Sequence, residues 1–443
     1  MKQVLEIIVM FLLFAACSQA GIKRVPSDYS TIQAAIDAST DGDTILVAPG
    51  TYIGDGNRDI DFKGKAITVK SEEGPQTCII DCQGSKDDPH RGFFFHTGED
   101  ANSVLQGFTI TNGYIRYSGG GGIYCDASSP LIENCIVTKN IALFGGGIAC
   151  KESDSVIVNC IITANTASLT PSSWWSRWHY DGAGGGIWFS SRNNQNPMLI
   201  NCIVSGNCAS EYGGGICLDR GNSVISNCTV YGNRTGDIGT AGGIAGGSAR
   251  GDKGVIQNCI IWGNIADGAE QIGHRSVGIL GEMILNITYC SVQNGPKAVS
   301  DLPVITGHWT SKEPYFINPG SWDPNGTPDN PNDDFWIENG DYHLKSQAGR
   351  WDPNSQSWVQ DDVTSPCIDS GDPNSPIQYE PFPNGGIINM GAYGGTAEAS
   401  KSYFDQPVCE TIVAGDINGD CRVDIKDFII MIAHWLEDHT PLQ

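Results

Sequence analysis

Apolar residues in this chain come in pairs and triplets between polar or glycine corners, and the same short phrases recur. Asn134-Cys135-Ile136-Val137 returns as Asn159-Cys160-Ile161-Ile162, Asn201-Cys202-Ile203-Val204, Asn227-Cys228-Thr229-Val230 and Asn258-Cys259-Ile260-Ile261, then in a worn form as Tyr289-Cys290-Ser291-Val292. The five intact copies are 25, 42, 26 and 31 residues apart. That spacing fits one turn of a solenoid with insertions at fixed corners, so the insertions point to the working face. A second phrase, Gly120-Gly121-Gly122-Ile123, recurs at Ile148, Ile187, Ile216 and, as Ala241-Gly242-Gly243, at Ile244. A third column, Asn140, Asn165, Asn207, Asn233 and Asn264, follows each Cys phrase. Three landmarks per turn predict three short parallel strands per turn. Ile and Val fill the hollow, one Asn per turn bonds its amide to the Asn above and below, and the tandem glycines permit positive φ at the bends.

Helical periodicity is confined to short stretches. Ser30 to Ala38 reads as an amphipathic helix with Ser30 as N-cap, ahead of the strand Thr44 to Ala48. It serves as a lid, because the open end of a stacked sheet invites pairing with other chains. From about Asp301 the repeat fades into a segment rich in Trp, Pro, Asp and Asn, with Ser365-Pro366-Cys367-Ile368-Asp369 and Asn389-Met390-Gly391-Ala392-Tyr393-Gly394-Gly395. The expected organisation is a signal peptide over 1–20, a solenoid over 21–300, last irregular coils and a cap over 301–400, and a linker with a distinct tail over 401–443.

Composition narrows the setting. Net charge is −24 and pI about 4.5, which argues against nucleic acid or an anionic membrane surface as partner. Calcium and neutral polymers fit better, and a polyanionic glycan would need a local basic patch or bridging Ca²⁺. Lys2, the apolar run Ile7 to Phe14 and Ser18-Gln19-Ala20 read as an export signal, the run being too short to span a membrane. The expected location is therefore extracellular; Phe14-Ala15-Ala16-Cys17 also resembles a lipobox, which leaves a lipid anchor at Cys17 as the alternative. The chain has 16 cysteines. Those at the repeat position are expected to stack ~4.8 Å apart, beyond the ~3.8 Å Cβ separation of a disulfide, as a file of free buried thiols. Cys78 with Cys82, and Cys409 with Cys421, are the disulfide candidates.

Two resemblances follow from particular residues. Val25-Pro26-Ser27-Asp28-Tyr29, Ile32-Gln33-Ala34-Ala35-Ile36 and Asp43 to Tyr52 are similar to the start of bacterial right-handed parallel β-helix proteins of the pectin-lyase-like superfamily, and Gly107 to Gly113 to a recurring coil in them. The likeness covers roughly 22–300 and implies an all-β right-handed parallel β-helix with an N-terminal capping helix. It fixes no activity, since that superfamily holds lyases, hydrolases, epimerases, adhesins and inert scaffolds. The second lies at Asp416 to Asp427: oxygen side chains of Asp416, Asn418, Asp420, Asp424 and Asp427 fall at loop positions 1, 3, 5, 9 and 12, with the Arg422 carbonyl at 7. Calcium is the expected ion. With the apolar run Phe428 to Leu436, this is similar to half of a dockerin, implying a cohesin-like partner. Cys421 stands where Gly usually makes the turn and only one loop is present, which leaves a solvated acidic turn as the plain alternative.

Candidate chemistry sits on the longest insertion, between Asn165 and Gly184. Trp174, Trp175 and Trp178 offer faces for sugar C–H surfaces, and Asp181 can bond hydroxyls; the alternative is that these rings form a satellite core. If the protein is a polysaccharide lyase, His179 or Tyr180 would be the base and Arg177 the neutraliser of the developing enolate. If it is a glycosidase, two of Asp154, Asp181 and Asp219 would face each other. The paired Asp, His-Gly and Arg-Ile-Lys motifs of polygalacturonases are absent. The stretch Asp323 to Asp341 is either a further Ca²⁺ site or a solvated loop. The expected function is thus binding or degradation of extracellular polysaccharide by a monomer, the degrading form being β-elimination on uronates. A non-catalytic surface adhesin or structural solenoid is the rival, because Gly-Gly-Gly-Ile with Val204-Ser205-Gly206-Asn207 resembles the repeats of chlamydial polymorphic membrane proteins.

Overall fold

The structure is a computed structural model that describes residues 20–168, 182–191, 195–236, 239–247, 252–266, 271–274, 283–295, 304–327, 334–337, 340–404, 415, 417 and 423–434. Its body is a parallel β-solenoid in which successive turns pair in register. Sheet A has 11 strands, from Ile22–Val25 to Val304–Thr306; sheet B has 10, from Gly50–Tyr52 to Trp309–Thr310; sheet C has seven, from Phe93–Phe95 to Ile272–His274. A fourth element was not foreseen: four two-residue strands, Ile141–Ala142, Thr166–Ala167, Cys208–Ala209 and Arg234–Thr235, form sheet D between B and C.

The interior is built of like on like. Ile132, Ile157, Leu199, Ile225 and Ile256 form one inward column, Val137, Ile162, Val204, Val230 and Ile261 a second, and Ile123, Ile148, Ile187, Ile216 and Ile244 a third, all with no exposed surface. Cys135, Cys160, Cys202, Cys228, Cys259 and Cys290 stand in single file at the A–B corner, buried to 1% exposure or less. The Cys135 and Cys160 N–H groups donate to the Sγ one turn on at 3.4 and 3.3 Å, and each thiol donates to a carbonyl two residues back. All cysteines among the described residues are free. Cys78 and Cys82 are included, contrary to the pairing considered from sequence. They are four residues apart along an extended segment, or about 13 Å, well beyond disulfide reach. Cys409 and Cys421 lie outside the described residues.

The two Asn columns do different work. Asn134, Asn159, Asn201, Asn227 and Asn258 take φ of 49–54°, bending the chain from sheet A into sheet B. The stacked amides belong to the other column: Asn140, Asn165, Asn207 and Asn233 each donate through Nδ2 to the next Oδ1 at 2.9–3.0 Å, and Asn264 ends the ladder on Gln271 Oε1. Within each Gly triplet only the first residue needs positive φ. A Cβ on the second would stand 2.3–2.6 Å from the stacked glycine carbonyl of the next turn, and on the third 2.9–3.0 Å from the ladder amide, so absence of a side chain is what lets the Asn column sit inside.

The lid helix α1 spans Ile32–Asp37 and buries Ile32, Ala35 and Ile36. Its N-cap is Thr31, one residue beyond the expected Ser30, because the Thr31 Oγ1 accepts the Ala34 N–H at 3.2 Å. After the last coils, the hairpins Phe316–Asn318 with Asp341–Leu344 and Ser321–Asp323 with Phe335–Ile337 fold back along the outer face of sheet B. Phe316, Tyr342, Leu344, Cys367, Ile368 and Met390 there close over Ile203 and Ile260.

Candidate functional site

Insertions concentrate at the two edges of sheet C. The segment 169–181 leaves from Ser168, whose N–H donates to Ala142 O at 3.0 Å, and returns at Gly182, whose N–H donates to Leu143 O at 2.7 Å. Both ends are thus pinned at one corner, between sheets D and C. Trp174, Trp175, Arg177, Trp178, His179, Tyr180 and Asp181 themselves lie outside the described residues.

Alternation along the sheet C strands sends one side chain in and the next out. Phe94, Tyr124, Ala149, Trp188, Cys217 and Ala245 form the first outward column, and Asp126, Lys151 and Ser190 the second, with His96 beside it. Phe94 and Tyr124 stack parallel at 5.4 Å, and His96 stacks on Phe94 at 4.1 Å. The Arg91 guanidinium carbon lies 4.8 Å from the Phe94 ring centre and 5.0 Å from that of Tyr124. Arg91 is only 9% exposed, and its Nη1 is buried without a hydrogen-bond partner. Burial pulls its pKa down to about 10, so it stays cationic at neutral pH. Its backbone N–H donates to Asp59 Oδ1 at 3.0 Å, whereas the other Asp59 oxygen is taken by His90 Nδ1 at 2.5 Å. A cation is therefore held against two rings, with no carboxylate among the described residues bonded to its guanidinium.

Around it the charges are paired. Lys151 Nζ donates to both Asp126 oxygens at 3.1 and 3.3 Å, the Tyr124 hydroxyl donates to Asp126 at 3.4 Å, and His96 lies 3.5 Å from Asp61. Burial, with Asp126 alongside, pushes the Tyr124 phenol far above its usual value, which rules it out as a neutral-pH base. Of the carboxylates considered for hydrolysis, Asp154 is exposed and accepts the Asn196 N–H at 2.6 Å, and Asp219 is buried and accepts from Ser190 Oγ at 2.7 Å. Each is bonded to neighbours in its own coil stack. Sequence reasoning passed over Arg91, which has no counterpart in the repeat; the crowding of Pro89-His90-Arg91-Gly92-Phe93-Phe94-Phe95-His96 was the available signal.

In the C-terminal tail, Asp416, Asn418, Asp420 and Arg422 lie outside the described residues. Helix α2 spans Ile425–His434, and the buried Asp427 carboxylate accepts the Ile417 and Asp424 N–H groups, each at 2.7 Å. Asp424 Oδ1 accepts the Lys426 N–H at 2.8 Å. No cluster of three or more His, Cys, Asp or Glu side chains suited to a metal occurs among the described residues.

Coils, buried ladders and a loop-edged outer face define a parallel β-helix protein. The model of the right-handed β-helix region matches residues 56–216 and 101–299, more than half of the chain, and the chain belongs to that family. Residues 327–371 also match a model described as disaggregatase related. No curated protein matches. Among solved structures the chain is similar to pectate lyase Pel9A, at 15% identity and TM-score 0.46 over 84% of this chain and 96% of that one. It is also similar to pectin methylesterase from carrot, at 10% and 0.35 over 65% and 88%, and to alginate lyase from Paenibacillus sp. str. FPU-7, at 11% and 0.31 over 66% and 99%. Likeness at these levels is one of fold.

Proposed function

We propose that the protein binds an extracellular polysaccharide along the outer face of sheet C, with the uronate-bearing class as its ligand and β-elimination as the reaction if it turns over. The observation that carries this reading is Arg91, a cation lying against both Phe94 and Tyr124 whose guanidinium makes no side-chain hydrogen bond among the described residues. A planar guanidinium takes a carboxylate in two parallel hydrogen bonds, so a uronate meets its need. The first outward column is covered by Phe144 and Tyr212, but His96, Asp126 and Lys151 beside it stay partly exposed at ~4.8 Å steps along the solenoid, which suits a linear polymer better than a compact ligand. The insertion that carries Trp174, Trp175, Trp178 and Asp181 as sugar contacts, and Arg177, His179 and Tyr180 as lyase candidates, starts and ends at the edge of this face.

The tail is read as a calcium loop with Asp416, Asn418, Asp420, the Arg422 carbonyl, Asp424 and Asp427 as ligands. The inward turn of Asp427 over Ile417 and Asp424 supports loop closure, and calcium would supply the charge that holds the acidic side chains together. Ile425, Phe428, Ile429 and Ile432 are 49–65% exposed at i, i+3, i+4 and i+7, which supports a cohesin-like partner. Export belongs to the same reading.

The test is incubation with pectate, alginate and neutral glycans, with Ca²⁺ and then chelator, following unsaturated products, reducing ends and retention on glycan gels. Arg91→Ala is expected to weaken retention on pectate or alginate about 10- to 100-fold, the worth of a charge-assisted pair. Unchanged retention removes the site; retention without products leaves a binding module.

A further inference from the structure

A second site lies on the opposite side of the coils, independent of the sheet C reading. The corner column Asn134, Asn159, Asn201, Asn227 and Asn258 faces outward at one position on five successive turns. Three rungs grip the chain's own returning segment. Asn201 Nδ2 donates to Ala392 O at 3.0 Å and Gly394 O at 2.7 Å; Asn227 Nδ2 donates to Asn389 O at 3.3 Å; Asn258 Oδ1 accepts the Asp372 N–H at 2.8 Å. At Gly394 that segment turns away, the Thr396 N–H closing on Tyr393 O at 3.1 Å and the Ala399 N–H on Thr396 O at 3.2 Å. The next two rungs, Asn134 and Asn159, have side-chain amides that bond to nothing among the described residues, and they open into a cleft of about 400 Å³.

The lining decides the ligand. Ile161 and Tyr393 supply apolar surface, Glu398 is the one charged group, and neither Lys nor Arg takes part. Glu398 is held from behind by His343, whose Nε2 lies 3.5 Å away, whose ring stacks on Tyr393 at 3.7 Å and whose Nδ1 is bonded to Asp341 at 2.7 Å. An anionic sugar would meet the Glu398 carboxylate, while His343 behind it is buried and already paired with Asp341 and Glu398. A neutral sugar offers hydroxyl donors to Glu398, donors and acceptors to the two amides, and a C–H face to Ile161 and Tyr393. The volume falls in the usual ~300–1,000 Å³ range of small-ligand pockets. We propose that this cleft is a binding site for a neutral, hydroxyl-bearing saccharide, formed by Asn134, Asn159 and Glu398.

The test uses the full chain with neutral hexasaccharides of glucose, mannose and xylose, trigalacturonate, and an uncharged Gly-Asn repeat peptide, by titration calorimetry. Because Asn134 and Asn159 hold positive φ, glycine replaces them without backbone strain and removes only the amides. Asn134→Gly with Asn159→Gly is expected to weaken the neutral hexasaccharide about tenfold or more while keeping the parent unfolding curve, and Glu398→Gln to weaken it less. Arg91→Ala should leave this binding intact, so the two sites fail separately. The proposal is overturned if no neutral hexasaccharide binds, if the double glycine variant binds it as well as the parent, or if the peptide binds in its place.

Discussion

Asparagine is used twice per turn in this protein, and the two uses have different energetics. In the corner column the residue is valued for a left-handed backbone that Asn tolerates, a conformation Tyr289 keeps at the sixth turn with φ of 49°. In the ladder column the side chain is buried and saturated: Asn207 donates to Asn233 Oδ1 and Ile162 O, both at 2.9 Å, and accepts from the Asn165 backbone and amide N–H groups. Asn207→Ala leaves several buried partners unmet and is expected to cost about 2–3 kcal/mol, read as a lowered urea midpoint. Asn159→Gly, by contrast, should leave that midpoint within error. Equal effects of the two would show that the columns are not specialised.

Between elements, the decisive contacts link coils to the returning segment. Lys139, Ala164, Gly206, Gly232 and Gly263 occupy one corner position on successive turns, all with positive φ. The strand Phe335–Ile337 lays Trp336 over the glycine rungs, where a Cβ on Gly206 would come within 2.0 Å of the Trp336 ring. Trp322 donates through Nε1 to Gly232 O at 2.7 Å, and Arg234 sits 3.8 Å over the Trp322 ring while bonding Asp334 at 2.8 Å. Since Ala164 adopts the same backbone at the equivalent position, the clash and not the dihedral sets the penalty. Gly206→Ala should lift the hairpin, shifting Trp fluorescence to the red and costing about 1–3 kcal/mol; an unshifted spectrum would place Trp336 elsewhere in solution.

For the whole molecule, pH acts on the seam between coils and returning segment. Burial pushes the Glu380 carboxyl up to about 8 and the Asp369 carboxyl up to about 7. Burial pulls the His343 imidazole down, but bonds to Asp341 and Glu398 outweigh it and hold it above its usual value. All three groups keep protons in the folded chain that the unfolded chain gives up at lower pH. Their contribution is full below about pH 4 for the acids and below about 6.5 for His343; it is lost as pH rises through about 7 for Asp369 and about 8 for Glu380, and as His343 gives up its proton above its usual value. Thermal unfolding and limited proteolysis should therefore show the 340–402 region loosening between pH 5 and 9. Constant protection across that range would mean that the seam does not titrate.

Much of the coil was legible because its contacts repeat. Each turn meets only the turns above and below at a fixed strand spacing, so like residues must recur in the chain, and the cysteine file, the Asn ladder and the three inward columns follow from that alone. The sequence also placed the longest insertion between Asn165 and Gly184, which the fold puts at the corner between sheets D and C. What it could not rank were the two Asn columns, which look alike as letters and differ only in which way the backbone turns the side chain. Nor could it bring Arg91 to Phe94, Tyr124 and Asp59, or Trp336 to Gly206, or leave Asn134 and Asn159 free beside Glu398. Those meetings occur once, between segments up to hundreds of residues apart, and a contact that is not periodic leaves no period to read; only the folding back of the chain across its own coils decides it.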